Sequence, residues 1–161
     1  PYTTLFRSLL LSQSAVDELN QRLTQAGEAA VDARRFRANI VIADIEAHDE
    51  DRVEQLDLPQ LPGLSLLPCK PCTRCPIPDI DPDTAVPGHE PGDTLAGYRA
   101  DPRVGGAISF GMNAVIVEGV GRRLAARRTG SPWHRPMPLD RPQADYRQRQ
   151  KYTRVRLSIK N

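Results

Sequence analysis

The sequence lacks any run of about 18 consecutive apolar residues, the length that a membrane-spanning helix requires. The run Leu9 to Leu11 is too short for the core of a signal peptide, and no cleavage pattern follows it. These absences argue against a membrane span and against a secretory signal. They lead us to expect a soluble cytoplasmic protein.

Cysteine is also scarce. The 161 residues include only three cysteines, all within the segment from Cys69 to Cys75. An odd number of thiols packed this closely is poor material for a disulfide framework. Free thiols in a short segment suit metal chemistry in a reducing compartment better. We therefore expect this segment to carry the chemistry of the protein.

Long helices are disfavoured by 15 prolines and 11 glycines, which indicate many turns. The chain length and its 39% hydrophobic residues suit one domain with a modest core. One helix is well marked: a serine can cap its first turn, apolar residues repeat on one face, and Gly27 ends it. The residues that indicate this helix are Ser12 or Ser14, Val16, Leu19 and Leu23.

Short apolar runs predict strands in the rest of the chain. The run 40–43 is β-branched and predicts a central strand, whereas the run 64–67 predicts a strand that ends at Pro68. Further strands are predicted at residues 9–11 and 113–118, with a weaker one at 153–159.

The segments between these strands have their own signals. Residues 46–57 are acidic and are expected to be exposed. Residues 76–93 are rich in proline and are expected to form turns, followed by one or two helical turns at 94–98. Glu90 is expected to form an ion pair with Arg99.

The net charge of +2 conceals a division along the chain. Residues 1–121 carry 10 Lys or Arg against 18 Asp or Glu, whereas residues 122–161 carry 12 against 2. A change of sign this abrupt indicates a boundary. The basic tail is either an arm for nucleic acid or a membrane surface, or a segment that is disordered or non-native. We favour the second interpretation and do not expect a nucleic-acid partner.

The three cysteines have the spacing Cys69-x2-Cys72-x2-Cys75, which leaves several chemistries open. Structural zinc normally needs four ligands, and no histidine stands at the usual spacing. A ferredoxin-type iron–sulfur cluster needs a fourth cysteine, which the sequence lacks. The thiols could also have no function, or one thiolate could suffice for molybdenum in a pterin dithiolene cofactor. In that last case Arg74 could bind a cofactor phosphate and favour the thiolate form of Cys75.

Short motifs in a defined order surround the cysteines. They run from about Leu9 to Gly121, and together they resemble the MOSC domain of the amidoxime-reducing component and its bacterial relatives. The motifs are Arg35-Phe36-Arg37-Ala38-Asn39-Ile40-Val41-Ile42, Glu50-Asp51-Arg52, Cys72-Thr73-Arg74-Cys75, Asp81-Pro82-Asp83-Thr84, Glu90-Pro91, Thr94-Leu95-x2-Tyr98-Arg99 and Phe110-Gly111-x-Asn113.

The resemblance implies a role for particular residues. Cys75 is expected to be both the molybdenum ligand and the catalytic residue, and the two residues before it to hold the pterin and its phosphate. A planar guanidinium suits a phosphate because it can donate two parallel hydrogen bonds. The cofactor-binding residues implied in this way are Arg37, Asn39, Thr73, Arg74 and Asn113.

The resemblance also implies a fold and an activity. The fold is expected to be β-rich α+β, a barrel-like MOSC domain with a few helices. The parent protein is expected to be a molybdenum-dependent oxidoreductase that reduces small N-hydroxylated substrates with a ferredoxin-like, cytochrome or flavin reductase partner. Members of the family also act as cofactor carriers or sulfur-delivery modules without turnover, and the family is associated with pyridoxal phosphate binding.

The chain departs from the family pattern at both ends. Residues 1–8 have no periodicity and are interpreted as a non-native or fragment start, so that residues 9–121 form a partial MOSC domain. After Gly121 the expected closing strand is missing, and loss of one base from G/C-rich codons would restore it. Residues 122–161 are therefore predicted to be disordered or out of frame, and a chain truncated in this way could be inactive.

Overall fold

The computed structural model describes residues 8–57 and 62–119, together with the backbone of a strand at 156–159. Within these residues, strands and two α-helices alternate with short 3₁₀ turns. The strands are β1 Ser8–Ser12, β2 Ile40–Ile42, β3 Val53–Asp57, β4 Ser65–Thr73, β5 Ala100–Asp101, β6 Ala107–Glu118 and β7 Arg156–Ile159. The helices are α1 Gln13–Gln25 and α2 Gly92–Ala96, and the 3₁₀ turns are Ala33–Phe36, Asp49–Asp51, Ile77–Asp79 and Pro102–Val104.

The strands form one curled sheet, a half-barrel, in the order β2-β1-β6-β4-β3-β7, with β5 beside β6. β1 and β2 are parallel and α1 lies between them in the chain, whereas the other described pairs are antiparallel. The predicted β-rich α+β class with few helices is confirmed.

α1 begins and ends where its local signals predict. The Ser12 hydroxyl accepts a hydrogen bond from the Ala15 N–H (3.2 Å) and so satisfies one of the free donors of the first turn. At the other end Gly27 has φ +84°, and the Glu28 N–H donates to the Leu23 carbonyl (2.9 Å), which closes a Schellman-type turn.

Adjacent residues of β1 contribute to two apolar clusters, because successive side chains of a strand point to opposite faces. Leu11 packs with the buried face of α1, with Leu95 of α2 and with Phe36 and Phe110. Leu10 packs on the other side, with buried residues of β2, β3, β4 and β6. One face of the sheet is thus covered by α1 and α2. The cysteine segment, described below, leaves the sheet beside α2.

Two strand predictions were wrong in part. Among the described strands only β1 pairs with β2, so β2 lies at an edge of the described sheet and not at its centre. Ile42 is fully buried but Val41 is 38% exposed, so the apolar run covers one buried face only. β4 does not end at Pro68 but continues to Thr73, because shifts in its register with β6 accommodate residues without a backbone N–H.

The expectation that residues 46–57 are exposed was wrong in part. Asp49 and Glu50 are buried, and Val53 and Leu56 of β3 point into the core. The buried carboxylate of Glu50 is tolerated because its Oε1 accepts a hydrogen bond from the backbone N–H at the end of β1 (3.1 Å). The acidic composition of this segment therefore did not indicate that it contains β3 and the buried hydrogen-bond acceptor Glu50.

The remaining predictions have mixed outcomes. The predicted turns before α2 are confirmed, and a strand is present at Arg156–Ile159, where it pairs with β3. Residues 1–7 and 120–155, which hold most of the predicted non-native start and basic tail, lie outside the described residues, so the domain division stays a prediction. No helix within the described ranges has both the length and the apolar character needed to cross a bilayer.

Candidate functional site

The cysteine segment leaves the sheet at the end of β4. The last pair between β4 and β6 joins Thr73 to Ser109, and just beyond it the Arg74 N–H donates to the Ile108 carbonyl (2.9 Å). The side chain of Cys75 is exposed and contributes to a cleft of about 220 Å³. The strand end therefore presents this thiol at the surface beside a concave wall.

The opposite wall of the cleft is formed by the turn after Cys75 and by α2. Asp79 Oδ1 accepts a hydrogen bond from the Gly92 N–H (2.8 Å). A Cβ at Gly92 would lie 2.7 Å from Asp79 Oδ2, so a larger residue would displace the Asp79 carboxylate from this contact. Burial raises the pKa of Asp79. The contact fixes the position of α2 relative to the cysteine segment.

The two predicted asparagines lie on either side of β1. The Asn39 N–H donates to the Leu9 carbonyl (3.0 Å), and the Asn39 Oδ1 accepts from the Leu9 N–H (2.8 Å). Asn113 of β6 is the cross-strand partner of the same Leu9. The two asparagines are therefore separated by two strand intervals, about 10 Å.

Arg37 leaves the 3₁₀ turn Ala33–Phe36 in a left-handed conformation, with φ 53° and ψ 37°. Its N–H donates to the Arg34 carbonyl (3.0 Å). Its side chain is exposed, and it forms no hydrogen bond or ion pair with the described residues. A guanidinium held in this way at the surface is available to an anion.

Arg74 is placed differently, because its guanidinium turns back into the molecule. Nε donates to the Phe110 carbonyl (2.9 Å), Nη2 donates to the same oxygen, and Nη1 donates to the Phe36 carbonyl (3.2 Å). The guanidinium carbon lies 5.3 Å from the centre of the Phe36 ring. Burial lowers the pKa of Arg74, an effect that the nearby Cys72 and Cys75 oppose.

The predicted site residues thus divide into two groups. Within the described residues, the side chains of Thr73, Cys75 and Asn113 form no hydrogen bond, and neither does the guanidinium of Arg37. Asn39 uses its side-chain oxygen but keeps its amide N–H groups free. Arg74 alone among the six has most of its polar atoms engaged by the protein.

Sequence reasoning missed a pair of arginines that hold the loop after Cys75. Arg35 donates to the Pro78 carbonyl and to the Asp81 carboxylate, both at 3.0 Å. Arg34 binds the Asp83 carboxylate with its two terminal nitrogens (2.9 and 3.2 Å). These partners lie more than forty positions apart in the sequence, so no local spacing could have indicated them.

The other two cysteines do not join Cys75 in a ligand set. Cys69 donates to the Asn113 carbonyl (3.3 Å) and faces a separate open groove between β3 and β4. The Cys72 thiol contacts the Thr73 carbonyl at 3.9 Å. In the part of the chain that the structure describes, no three His, Cys, Asp or Glu side chains converge as metal ligands. The zinc and iron–sulfur hypotheses therefore find no ligand set there.

The expected pair between Glu90 and Arg99 is not formed. Arg99 instead binds the Asp51 carboxylate (2.8 Å) and the Ser109 carbonyl (2.9 Å), and Glu90 accepts from the Thr94 N–H (3.1 Å). The side chains of Arg99 and Asp51 are only 13% and 14% exposed, so the pair is largely removed from solvent. It supports the end of the β4–β6 ladder from which Cys75 emerges.

Two further ionisable residues are buried behind the site. Glu50 is fully buried, and burial raises its pKa. The ring of His48 lies 5.8 Å from the Tyr98 ring and 5.7 Å from the Phe110 ring, and burial lowers the pKa of this histidine. Neither ring nitrogen of His48 has a hydrogen-bond partner among the described residues. Burial therefore shifts the protonation equilibrium of each group toward its neutral form.

Comparison with known proteins finds relatives among molybdenum cofactor sulfurases and amidoxime-reducing components. The chain is 33% identical over 139 residues to the molybdenum cofactor sulfurase of Aspergillus terreus, which covers 78% of this chain and 16% of that protein. It is 38% identical over 96 residues to mitochondrial amidoxime-reducing component 1 of Homo sapiens (58% and 26%). For mitochondrial amidoxime reducing component 2 of Rattus norvegicus the identity is 31% over 132 residues (78% and 36%).

The chain therefore spans well under half the length of these relatives. Their shared character indicates a domain related to the molybdenum cofactor. The family model described as the MOSC domain matches residues 6–125, about three quarters of the sequence. Because that match covers strands β1 to β6 and the cysteine segment together, the chain belongs to the MOSC domain family.

Proposed function

We propose that the Cys75 thiolate ligates the molybdenum of a pterin dithiolene cofactor. The observation that carries this proposal is an exposed thiol at a strand end, without other ligands from the described residues around it. A soft thiolate suits a thiophilic metal. A single protein donor suits a metal whose remaining donors come with its cofactor, so the donor set fits this group and fits zinc poorly.

The other residues that the family resemblance implies have the chemistry to hold such a cofactor. The exposed Arg37 guanidinium would bind the phosphate, since it is not engaged by the described residues. The amide N–H groups of the Asn39 side chain, the side-chain amide of Asn113 and the hydroxyl of Thr73 would bind the polar edge of the pterin. The cleft beside Cys75 is smaller than the ~300–1,000 Å³ of typical cofactor sites, so the cofactor would extend beyond it.

In the complete protein we propose an oxidoreductase that removes oxygen from small N-hydroxylated substrates. When bound, the cofactor supplies two-electron chemistry at molybdenum. The chain holds the thiolate at an open surface, where a substrate can approach, and the contact of Asp79 with α2 fixes one wall of the approach. Electrons would come from a ferredoxin-like, cytochrome or flavin reductase partner. Support comes from the similarity to two amidoxime-reducing components.

A second candidate function is a carrier or sulfur-delivery module without turnover. It is favoured by the similarity to molybdenum cofactor sulfurases, which extends over 78% of this chain in the Aspergillus terreus protein. An assay of aromatic N-hydroxyamidine reduction with a reconstituted electron donor separates the two functions. A protein that retains molybdenum but never reduces the substrate is a carrier. The family's association with pyridoxal phosphate and the cytoplasmic location stay predictions.

The ligand assignment is tested by metal analysis of protein expressed in a host that makes the cofactor. We expect the wild type to contain molybdenum and Cys75→Ser to lose most of it. Cys69→Ser is the matched control, since Cys69 is also exposed and lies on the same segment but faces a different groove. Equal molybdenum content in Cys75→Ser and the control would refute the assignment.

A further inference from the structure

We propose that Arg74 is a positioning residue that fixes the backbone on which the other site residues stand, and not the cofactor ligand that the resemblance implies. This inference rests on the proposed cofactor site, because it concerns how that site is shaped. It is carried by the two carbonyl groups to which the guanidinium donates, those of Phe36 and Phe110.

The first carbonyl belongs to the peptide unit between Phe36 and Arg37. Arg74 Nη1 holds its oxygen (3.2 Å), and the N–H of the same unit donates to the Arg34 carbonyl (3.0 Å). The unit is thus held at both ends. Arg37 itself is left-handed with φ 53°, a conformation that a residue with a Cβ seldom adopts without support. Arg74 therefore stabilises the backbone turn at Phe36 and Arg37, from which the Arg37 side chain extends.

The second carbonyl belongs to the peptide unit between Phe110 and Gly111. Arg74 Nε holds its oxygen (2.9 Å), and Nη2 donates to it as well. Gly111 is also left-handed, with φ +79°, and it lies where the register between β4 and β6 shifts. Asn113 follows two residues later and faces Leu9 of β1. The same guanidinium therefore fixes the corner that determines where Asn113 lies.

One side chain thus links three predicted cofactor residues. The Arg74 guanidinium donates to the carbonyl just before Arg37 and to the carbonyl three residues before Asn113. Arg74 itself directly precedes Cys75 in the sequence. Only a planar guanidinium can donate in two directions at once to carbonyls of different elements, whereas a lysine ammonium on a flexible stem cannot hold both in a fixed geometry. The Nε and Nη2 edge that would grip a phosphate is occupied by the Phe110 carbonyl.

Hydrogen exchange of the full 161-residue chain without cofactor tests the inference. In Arg74→Lys we expect exchange in the segments 36–39 and 110–113 to accelerate by about tenfold or more, from loss of charge-assisted hydrogen bonds. Amides of α1 should keep their wild-type rates. Arg34→Lys is the control, since it changes a neighbouring arginine whose ion pairs are exposed. Arg74→Ala, with and without added guanidinium ion, is a second variant, in which the ion should restore slow exchange.

Each outcome decides the inference. Unchanged exchange in cofactor-free Arg74→Lys together with reduced molybdenum content would show a direct cofactor contact and overturn it. Acceleration that extends equally to α1 would show general destabilisation and would also overturn it. If the wild type takes up no molybdenum, the proposed function fails, but the exchange of the two segments still decides the role of Arg74.

Discussion

Replacing Gly111 by alanine is expected to lower the free energy of unfolding by about 1–4.5 kcal/mol, after an offset of about 0.4–1 kcal/mol for the lost freedom of the unfolded chain. Gly111 has φ +79°, and a Cβ there would lie 2.5 Å from the Leu10 carbonyl oxygen. The left-handed conformation alone costs a residue with a Cβ about 1–2 kcal/mol. Forcing an extra atom against the backbone of β1 adds about 1–3 kcal/mol, the usual cost of overpacking.

Gly105→Ala is the matched control for this prediction. Gly105 is also left-handed, with φ +70°, but a Cβ there would meet nothing within 4 Å. Only the conformational cost applies, and the loss of chain freedom in the unfolded state offsets about 0.4–1 kcal/mol of it. We therefore expect Gly105→Ala to destabilise the protein by at most about 1.5 kcal/mol.

The assay is urea unfolding followed by circular dichroism, with the free energy extrapolated to water at a common slope. The prediction concerns the difference between the two variants, since both share the left-handed backbone and the same change in the unfolded chain. If Gly111→Ala and Gly105→Ala differ by less than about 0.5 kcal/mol, the range of an ordinary surface substitution, the close approach of β6 to β1 does not constrain this position.

Three further predictions follow from the buried charges. Asp51→Asn should lower the free energy of unfolding in urea by about 3–5 kcal/mol, because it leaves the largely buried Arg99 without its charge partner. Asp83→Asn, which breaks an exposed pair, should lower it by less than about 1 kcal/mol. Equal losses in the two variants would contradict this prediction. Burial raises the pKa of Glu50 above its ordinary value of 4.5, so wild-type stability should fall as pH rises through the raised pKa, and Glu50→Gln should abolish that slope. Burial lowers the pKa of His48, so the free energy of unfolding should fall as pH drops below 6.5 toward the lowered pKa. His48→Asn should remove this loss, and asparagine tolerates the left-handed backbone at this position. A pH profile of stability that is the same in the variant and the wild type would contradict the prediction.

The elements with local signals were predictable from the sequence. A serine hydroxyl can reach only the N–H groups of the next turn, and a left-handed glycine ends a helix wherever it stands. The start of α1 at Ser12 and its end before Gly27 follow from such contacts. The position of Cys75 at the end of a strand was less predictable, because Pro68 and Pro71 ordinarily argue against a strand that here continues to Thr73.

Contacts between distant residues account for the rest. Arg74 reaches carbonyls 36 and 38 positions away, and nothing in its neighbourhood reveals that its guanidinium is engaged. The family resemblance singled out this residue, but a sequence motif does not show the direction in which a side chain points. The edge position of β2 in the described sheet was also not predictable from the sequence. A short apolar run has the same composition in the middle of a sheet and at its edge.

The pairing of β1 with β6 bears on metal selection at the proposed site. Leu9 meets Asn113 only when a loop of about a hundred residues closes, so this part of the site exists only once distant parts of the chain have paired. An unfolded chain presents three thiols within seven residues, which can wrap around a zinc ion. In the folded chain Cys69 faces one groove and Cys75, just beyond the end of β4, faces another, so the described structure does not bring the thiols together as a chelating set. If the proposed site holds molybdenum, a chain that folds before it meets metal would disfavour zinc, and the order of the two events would influence which metal is bound.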